Sequence, residues 1–148
     1  MELIPIQETL EENASILGDA TYQEVLSMTI EFYKRVGFHP PWIGYTAHHN
    51  NNLVGTAGFK GKPVGGQVEI AYGTFEQYQK QGIGTQICKL LVDLSLKKDP
   101  SIIITARTLP EKNYSTRILE KNNFEWMGIV DDPDDGPVWE WRFKTYLP

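Results

Sequence analysis

The sequence predicts an α/β domain, a mixed sheet covered by helices, and three observations carry that reading. Apolar residues recur at helical spacing over residues 9–37 and then with period two over 42–60. From residue 67 onward strand-like and helix-like stretches alternate as strand, helix, strand, helix, strand, strand, an order that implies a sheet with helices packed on it. The chain has 148 residues with no internal repeat and no linker, so it reads as a single domain over 1–148. A chain of this length buries roughly two-thirds of its surface, enough for a real core.

The elements follow in order. "MELIPI" is the only strand candidate ahead of the helices. "TLEENASILG" has Thr9 and Glu12 at capping-box spacing, apolar Leu10, Ala14 and Leu17, and Gly18 as a stop. "TYQEVLSMTIEFYKRVG" repeats the plan: Thr21 and Glu24 form the box, Val25, Thr29, Phe32 and Val36 one face, and Gly37 the end. "WIGYTAHH" and "LVGTAGFK" make a hairpin across "NNN", because asparagine tolerates the left-handed backbone that tight turns require. After the connection "GKPVGG", the strand "QVEIAYGT" alternates bulky Val68, Ile70 and Tyr72 with Glu69, Ala71 and Gly73. The helix behind Gly82-Ile83-Gly84 places Ile87, Leu90, Leu91 and Leu94 on one side and stops at Asp99-Pro100. "SIIITAR" is a continuous apolar run suited to the middle of a sheet. Thr108 and Glu111 are spaced as a third capping box before a helix bearing Tyr114, Ile118 and Leu119. Two aromatic-rich strands around the acidic turn "DDPDDG" end the chain.

Composition narrows the function. A formal net charge of -5 leaves no basic footprint for a nucleic-acid backbone. No stretch reaches the roughly 18 apolar residues of a membrane span, and the acidic start lacks a signal peptide's pattern, so the expected location is the cytoplasm with no membrane partner. Cys88 is the single cysteine; at helical spacing with Gly84, Ile87 and Leu91 it reads as a core residue, and a disulfide or multi-cysteine zinc site is excluded. His39, His48 and His49 lack ligand spacing, and no metal is expected. Nothing in the sequence indicates a homodimer.

Two glycines at the start of a helix contribute no packing of their own and cost conformational entropy. A helix N-terminus offers unpaired amides and about half a positive charge, to which glycine lets a phosphate come close. Gln79-Lys80-Gln81-Gly82-Ile83-Gly84-Thr85 therefore reads as a diphosphate cradle, with Lys80 adding charge and Thr85 a hydroxyl. The competing reading is a turn in which glycine only permits tight packing. The dinucleotide fingerprint needs a third glycine where Ile87 stands, and no P-loop pattern occurs.

Gln79 to Gly84 also matches the signature Gln/Arg-x-x-Gly-x-Gly/Ala of the GNAT superfamily of acyl-CoA-dependent N-acyltransferases, and it stands between a strand and a helix as it does there. "NYSTRILEKNNFEWMGIV" resembles that family's downstream helix and strand, nearest to the branch that acetylates the N-termini of ribosomal proteins. The resemblance is strong from Gln67 to Val130, weaker over Trp42 to Lys60 and poor before that. It implies a mostly antiparallel mixed sheet with helices on both faces and a splayed parallel strand pair, and transfer of acetyl from acetyl-CoA to a primary amine. Acetyl-CoA would be the cosubstrate, the amine a protein N-terminus or a small molecule, and attack direct in a ternary complex.

On the same resemblance, Tyr72, Gly73 and Thr74 line the pantetheine arm, Lys80, Gln81, Gly82, Ile83, Gly84 and Thr85 hold the diphosphate, and Asn113 contacts the cofactor. Amides at Gly73 or Thr74 would hold the oxyanion. The tyrosine that protonates the thiolate in many relatives falls on Leu119, and the family's asparagine falls on Lys112, one place before Asn113. Ser115 matches a serine of the ribosomal branch and is the candidate acid; Glu69 is the candidate base, against a salt-bridged glutamate as the structural alternative. The missing tyrosine keeps open a non-catalytic CoA-binding or sensor domain of the same fold. The acidic turn beside Trp139 and Trp141 reads as an ordinary exposed turn ahead of a site for a cationic amine.

Overall fold

The computed structural model describes residues 1–16 and 20–144. These form a seven-stranded sheet of β1 (Glu2–Pro5), β2 (Gly44–His49), β3 (Asn52–Phe59), β4 (Gln67–Thr74), β5 (Ile103–Thr108), β6 (Phe124–Asp132) and β7 (Gly136–Phe143). Their spatial order is β1-β2-β3-β4-β5-β7-β6, and every neighbouring pair is antiparallel except β4 with β5. Helices α1 (Ala20–Val36), α2 (Ile83–Lys98) and α3 (Tyr114–Lys121) cover it. None of the described helices is long and apolar enough to cross a membrane.

"MELIPI" does supply a strand, paired along β2 from Glu2↔His48 to Pro5↔Tyr45. The segment after it takes a tighter helical form than the amphipathic pattern suggested. Glu11–Ile16 is a 3₁₀ turn, whose start is held by Glu12 N–H donating to Thr9 Oγ1 at 3.3 Å. The loop is fixed by buried Asn13, which accepts from Gln7 N–H at 2.7 Å and donates to the Gln7 and Thr9 carbonyls. Leu17 and Gly18 lie outside the described residues. Thr21 already lies within α1, so the residues that would cap this helix fall there too.

α1 buries Leu26 and Tyr33 rather than Val36, which is exposed; Gly37, at φ +99°, ends the helix with its N–H on the Tyr33 carbonyl. The hairpin turn is Asn50-Asn51, both left-handed, as the asparagines led one to expect. On α2, Ile87 and Leu91 are buried together with Cys88, Val92 and Ser95, which turns the face slightly past Leu90 and Leu94. Burial pushes the Cys88 thiol up to about 12, so it stays a protonated core group.

The third capping box is elsewhere than expected. α3 begins at Tyr114, and Asn113 caps it: its side chain accepts from Thr116 N–H at 3.1 Å while Thr116 Oγ1 accepts from Asn113 N–H at 2.9 Å. Thr108 is instead the last residue of β5, and its hydroxyl accepts from the indole N–H of buried Trp141 at 3.0 Å.

The register sorts side chains to the two faces. Gly44, Gly58, Ala71 and Gly73 share one face, where α1 packs; a Cβ on Gly44 would meet Thr29 Cγ2 at 2.6 Å. Val68, Ile70, Tyr72, Ile104 and Trp141 point the other way, toward α2 and α3. The expected mixed sheet with helices on both faces is present.

Candidate active site at the strand splay

β4 and β5 pair from Gln67↔Ile103 to Ile70↔Ala106 and then part. Beyond that point Arg107 and Thr108 of β5 pair only with Glu140 and Trp139 of β7, while Ala71 to Thr74 pair only with β3. One edge of β4 is thus left open. Strand alternation decides which groups line it. Lys60 N–H donates to the Glu69 carbonyl and Phe75 N–H to that of Val54, so odd-numbered residues of β4 direct their backbone groups at β3. Ile103 N–H donates to the Gly66 carbonyl on the opposite edge. Tyr72 and Thr74 therefore present N–H groups to the splay, and Gly73 does not. Of the two amides that the sequence reading offered for an oxyanion, Gly73 or Thr74, only that of Thr74 faces the splay, and the Tyr72 amide faces it too.

Immediately beyond β4, the loop into α2 contains two left-handed residues, Lys80 at φ +63° and Gly82 at φ +78°. Gln79 Nε2 ties the loop back to the Thr74 carbonyl at 3.0 Å. No side chain caps α2, so its first-turn amides keep their capacity to donate. The glycines divide the work. At Gly82 a Cβ would have open space around it, but the backbone is left-handed; at Gly84 a Cβ would lie 2.5 Å from Ile118 Cδ1 and 3.1 Å from both Thr74 Oγ1 and Tyr114 Oη. Gly82 thus combines a glycine-type conformation with room for a ligand, whereas Gly84 lets α2, α3 and β4 close together. Tight packing describes Gly84, while Gly82 has the conformation and the open space that a phosphate cradle would need.

Thr74 Oγ1 and Tyr114 Oη are buried without hydrogen-bond partners at this junction. Such groups are costly unless something else satisfies them, so the site's polar chemistry fits a ligand with acceptors, as a pantetheine diphosphate has. The Tyr72 hydroxyl, driven far up by burial and then by Cys88 and Tyr114, stays protonated and donates to the Ser115 carbonyl at 3.3 Å.

On the α1 face the splay meets a charged cluster. Lys60 Nζ lies 3.1 Å from Glu69 Oε2, and Arg107 Nε lies 3.8 Å from Glu69 Oε1 and 3.5 Å from Glu140 Oε1. Arg107 Nη1 donates to Asp132 Oδ2 at 3.0 Å. Asp132 is held below its usual range first by the Asp134 N–H and then by Arg107. Glu69 Oε2 is buried, and its contact with Lys60 is an ion pair without hydrogen-bond alignment. Arg107, Lys60, Asn113, Ser115 and Asp132 line one cleft of about 270 Å³.

Of the predicted residues, the structure brings Tyr72, Thr74, Gly84 and the α2 amides together on one side of the splay, and Ser115 and Asn113 to the charged cleft on the other, with Glu69 in the cluster that borders it. The side-chain oxygen of Asn113 is engaged as the α3 cap, and Leu119 is fully buried. Arg107 and Lys60 were not singled out as site residues by sequence reasoning. The available signal was a lone charge ending each apolar strand, "SIIITAR" and "LVGTAGFK".

A family model described as an acetyltransferase (GNAT) domain matches residues 6–125. Among solved structures, AAC(6')-Ib bound to ribostamycin and coenzyme A is 27% identical over 68% of this chain and 63% of that one, less than two thirds of its length, with a TM-score of 0.59. An acetyl transferase from Salmonella typhimurium that modifies the N-terminal serine of a 50S ribosomal subunit protein is 16% identical, covering 95% of this chain and 92% of that one at a TM-score of 0.66. A spermidine N-acetyltransferase chimera from Vibrio cholerae is 13% identical, covering 97% and 95% at 0.68. The last two likenesses establish the fold alone. A search of curated protein sequences finds no match.

Proposed function

The chain belongs to the GNAT acetyltransferase family, and on that footing we propose that it transfers the acetyl group of acetyl-CoA to a primary amine by direct attack in a ternary complex. The observation that carries this reading is the open edge of β4, with Tyr72 and Thr74 amides facing the splay and the uncapped start of α2 directly beyond it.

The residues divide the reaction as follows. The amides of Gly82 to Thr85, with Lys80, receive the diphosphate. Tyr72 and Thr74 hold the pantetheine arm, and their N–H groups stabilise the oxyanion when the amine nitrogen bonds to the thioester carbonyl carbon. A lysine-like amine with a reference pKa of about 10.4 is mostly protonated at neutral pH. Glu69, which lies between Lys60 and Arg107 beside the splay, takes its proton directly or through water. The carbon–sulfur bond then breaks with its electron pair on sulfur, and Ser115 or water supplies the thiolate's proton. A leaving thiol with a pKa near 8.5 needs little assistance at neutral pH, which accommodates Leu119 in place of the family's tyrosine.

The test is release of free thiol from acetyl-CoA across a panel of small amines and peptide N-termini. Turnover of any of them is the expected result. Tight acetyl-CoA binding with no turnover throughout the panel would favour the second reading, a CoA-binding domain without catalysis, for which buried Leu119 is the supporting observation.

A further inference from the structure

We infer, resting on the acetyl-transfer reading, that the acceptor is an amine with an apolar body and a carboxylate, not a polycation. A second cleft of about 420 Å³ lies on the α1 face of the sheet, between α1 and the β3–β4 strands. Its floor includes Thr56 and Ala71, and Tyr72 also borders it, so it opens beside the part of β4 whose far edge is free. Lys60 lines both this cleft and the charged one containing Ser115, so the two meet at that residue, next to Glu69. An amine lodged here approaches the splay from the face opposite to α2.

The cleft's walls and its charge both select. Met28, 68% exposed, and half-buried Phe32 offer an apolar wall. Among the described residues, the cations in the lining are Arg35 and Lys60, and no aspartate or glutamate lines it. Lys60 is compensated by Glu69, whereas Arg35 makes no ion pair among the described residues and lies over the Phe32 ring at 5.4 Å. An uncompensated guanidinium beside an apolar wall suits a carboxylate, which it can hold by two charge-assisted hydrogen bonds, and repels additional ammonium groups. The polyamine and aminoglycoside ligands named for the structural neighbours carry the opposite charge pattern.

Thiol release is measured with L-phenylalanine, glycyl-L-phenylalanine, 2-phenylethylamine, spermidine and kanamycin, on the wild type and on Arg35→Glu and Arg35→Gln. At least one carboxylate-bearing acceptor is expected to exceed 2-phenylethylamine and both polycations by about ten-fold or more in kcat/KM. Arg35→Glu should remove that preference while acetyl-CoA binding stays unchanged, with Arg35→Gln between the two. Equal or better use of 2-phenylethylamine, spermidine or kanamycin overturns this inference alone, as does a preference that neither variant moves. Absence of thiol release with every amine defeats the acetyl-transfer reading and this inference with it.

Discussion

Glu69 sits between Lys60, 3.1 Å from one carboxylate oxygen, and Arg107, 3.8 Å from the other. Its position on β4 opposite Thr105 of β5 puts it one residue before the strands part. Replacing it by glutamine keeps the shape and removes the proton acceptor. Turnover should fall by about 10² or more with acetyl-CoA affinity nearly unchanged, and the deficit should shrink as rising pH deprotonates the amine without help. Steady-state rates over a pH series check this; a Glu69→Gln profile parallel to the wild type's would assign the residue to structure. The two glycines of the cradle make a second residue-scale point. Their pattern in the sequence suggested one shared purpose, but the space around each Cβ separates a conformational role at Gly82 from a packing role at Gly84. Sequence spacing carries backbone demands better than it carries which neighbour closes over a residue.

The elements were legible wherever a local pattern decided them. The Asn50-Asn51 turn, the α2 start and the β6–β7 hairpin follow from residue types with one strong conformational preference. The misread cap of α3 has a tertiary cause: Thr108 was claimed by the β5 ladder and by Trp141, leaving Asn113 nearest to the helix start. Arg107 was invisible as a site residue because its partners, Glu69, Asp132 and Glu140, come from three other strands. That hub yields a pH prediction for the β6–β7 turn. Asp132 has a folded-state pKa below its unfolded value, so its stabilising contribution is full above the unfolded value of about 3.9 and is lost as pH falls through the folded one. Melting temperature should therefore drop more steeply on acidification below about pH 5 in the wild type than in Asp132→Asn, and the two curves should converge at the acid end. Parallel curves over that range would mean the turn gains nothing from the pair.

In the molecule as a whole, one break in the sheet lies beside one helix without a side-chain cap. A β4–β5 pair that parts after Ile70 leaves strand amides free, and α2 begins without a side-chain cap one loop beyond β4. The fold class and the order of its elements were readable from periodicity and from the resemblance of two motifs. The cleft proposed for the acceptor was not, since α1 and β3–β4 meet only in three dimensions. The most direct measurement is calorimetric binding of acetyl-CoA to the wild type and to Gly82→Asp, with melting followed on both proteins. Open space surrounds a Cβ at Gly82 and asparagine-like residues tolerate its left-handed backbone, so the variant should stay folded. Its carboxylate would meet the diphosphate at the α2 amides, and affinity should fall at least about a hundred-fold, the scale of a buried like-charge contact. A folded Gly82→Asp protein that binds acetyl-CoA as tightly as the wild type would contradict the account.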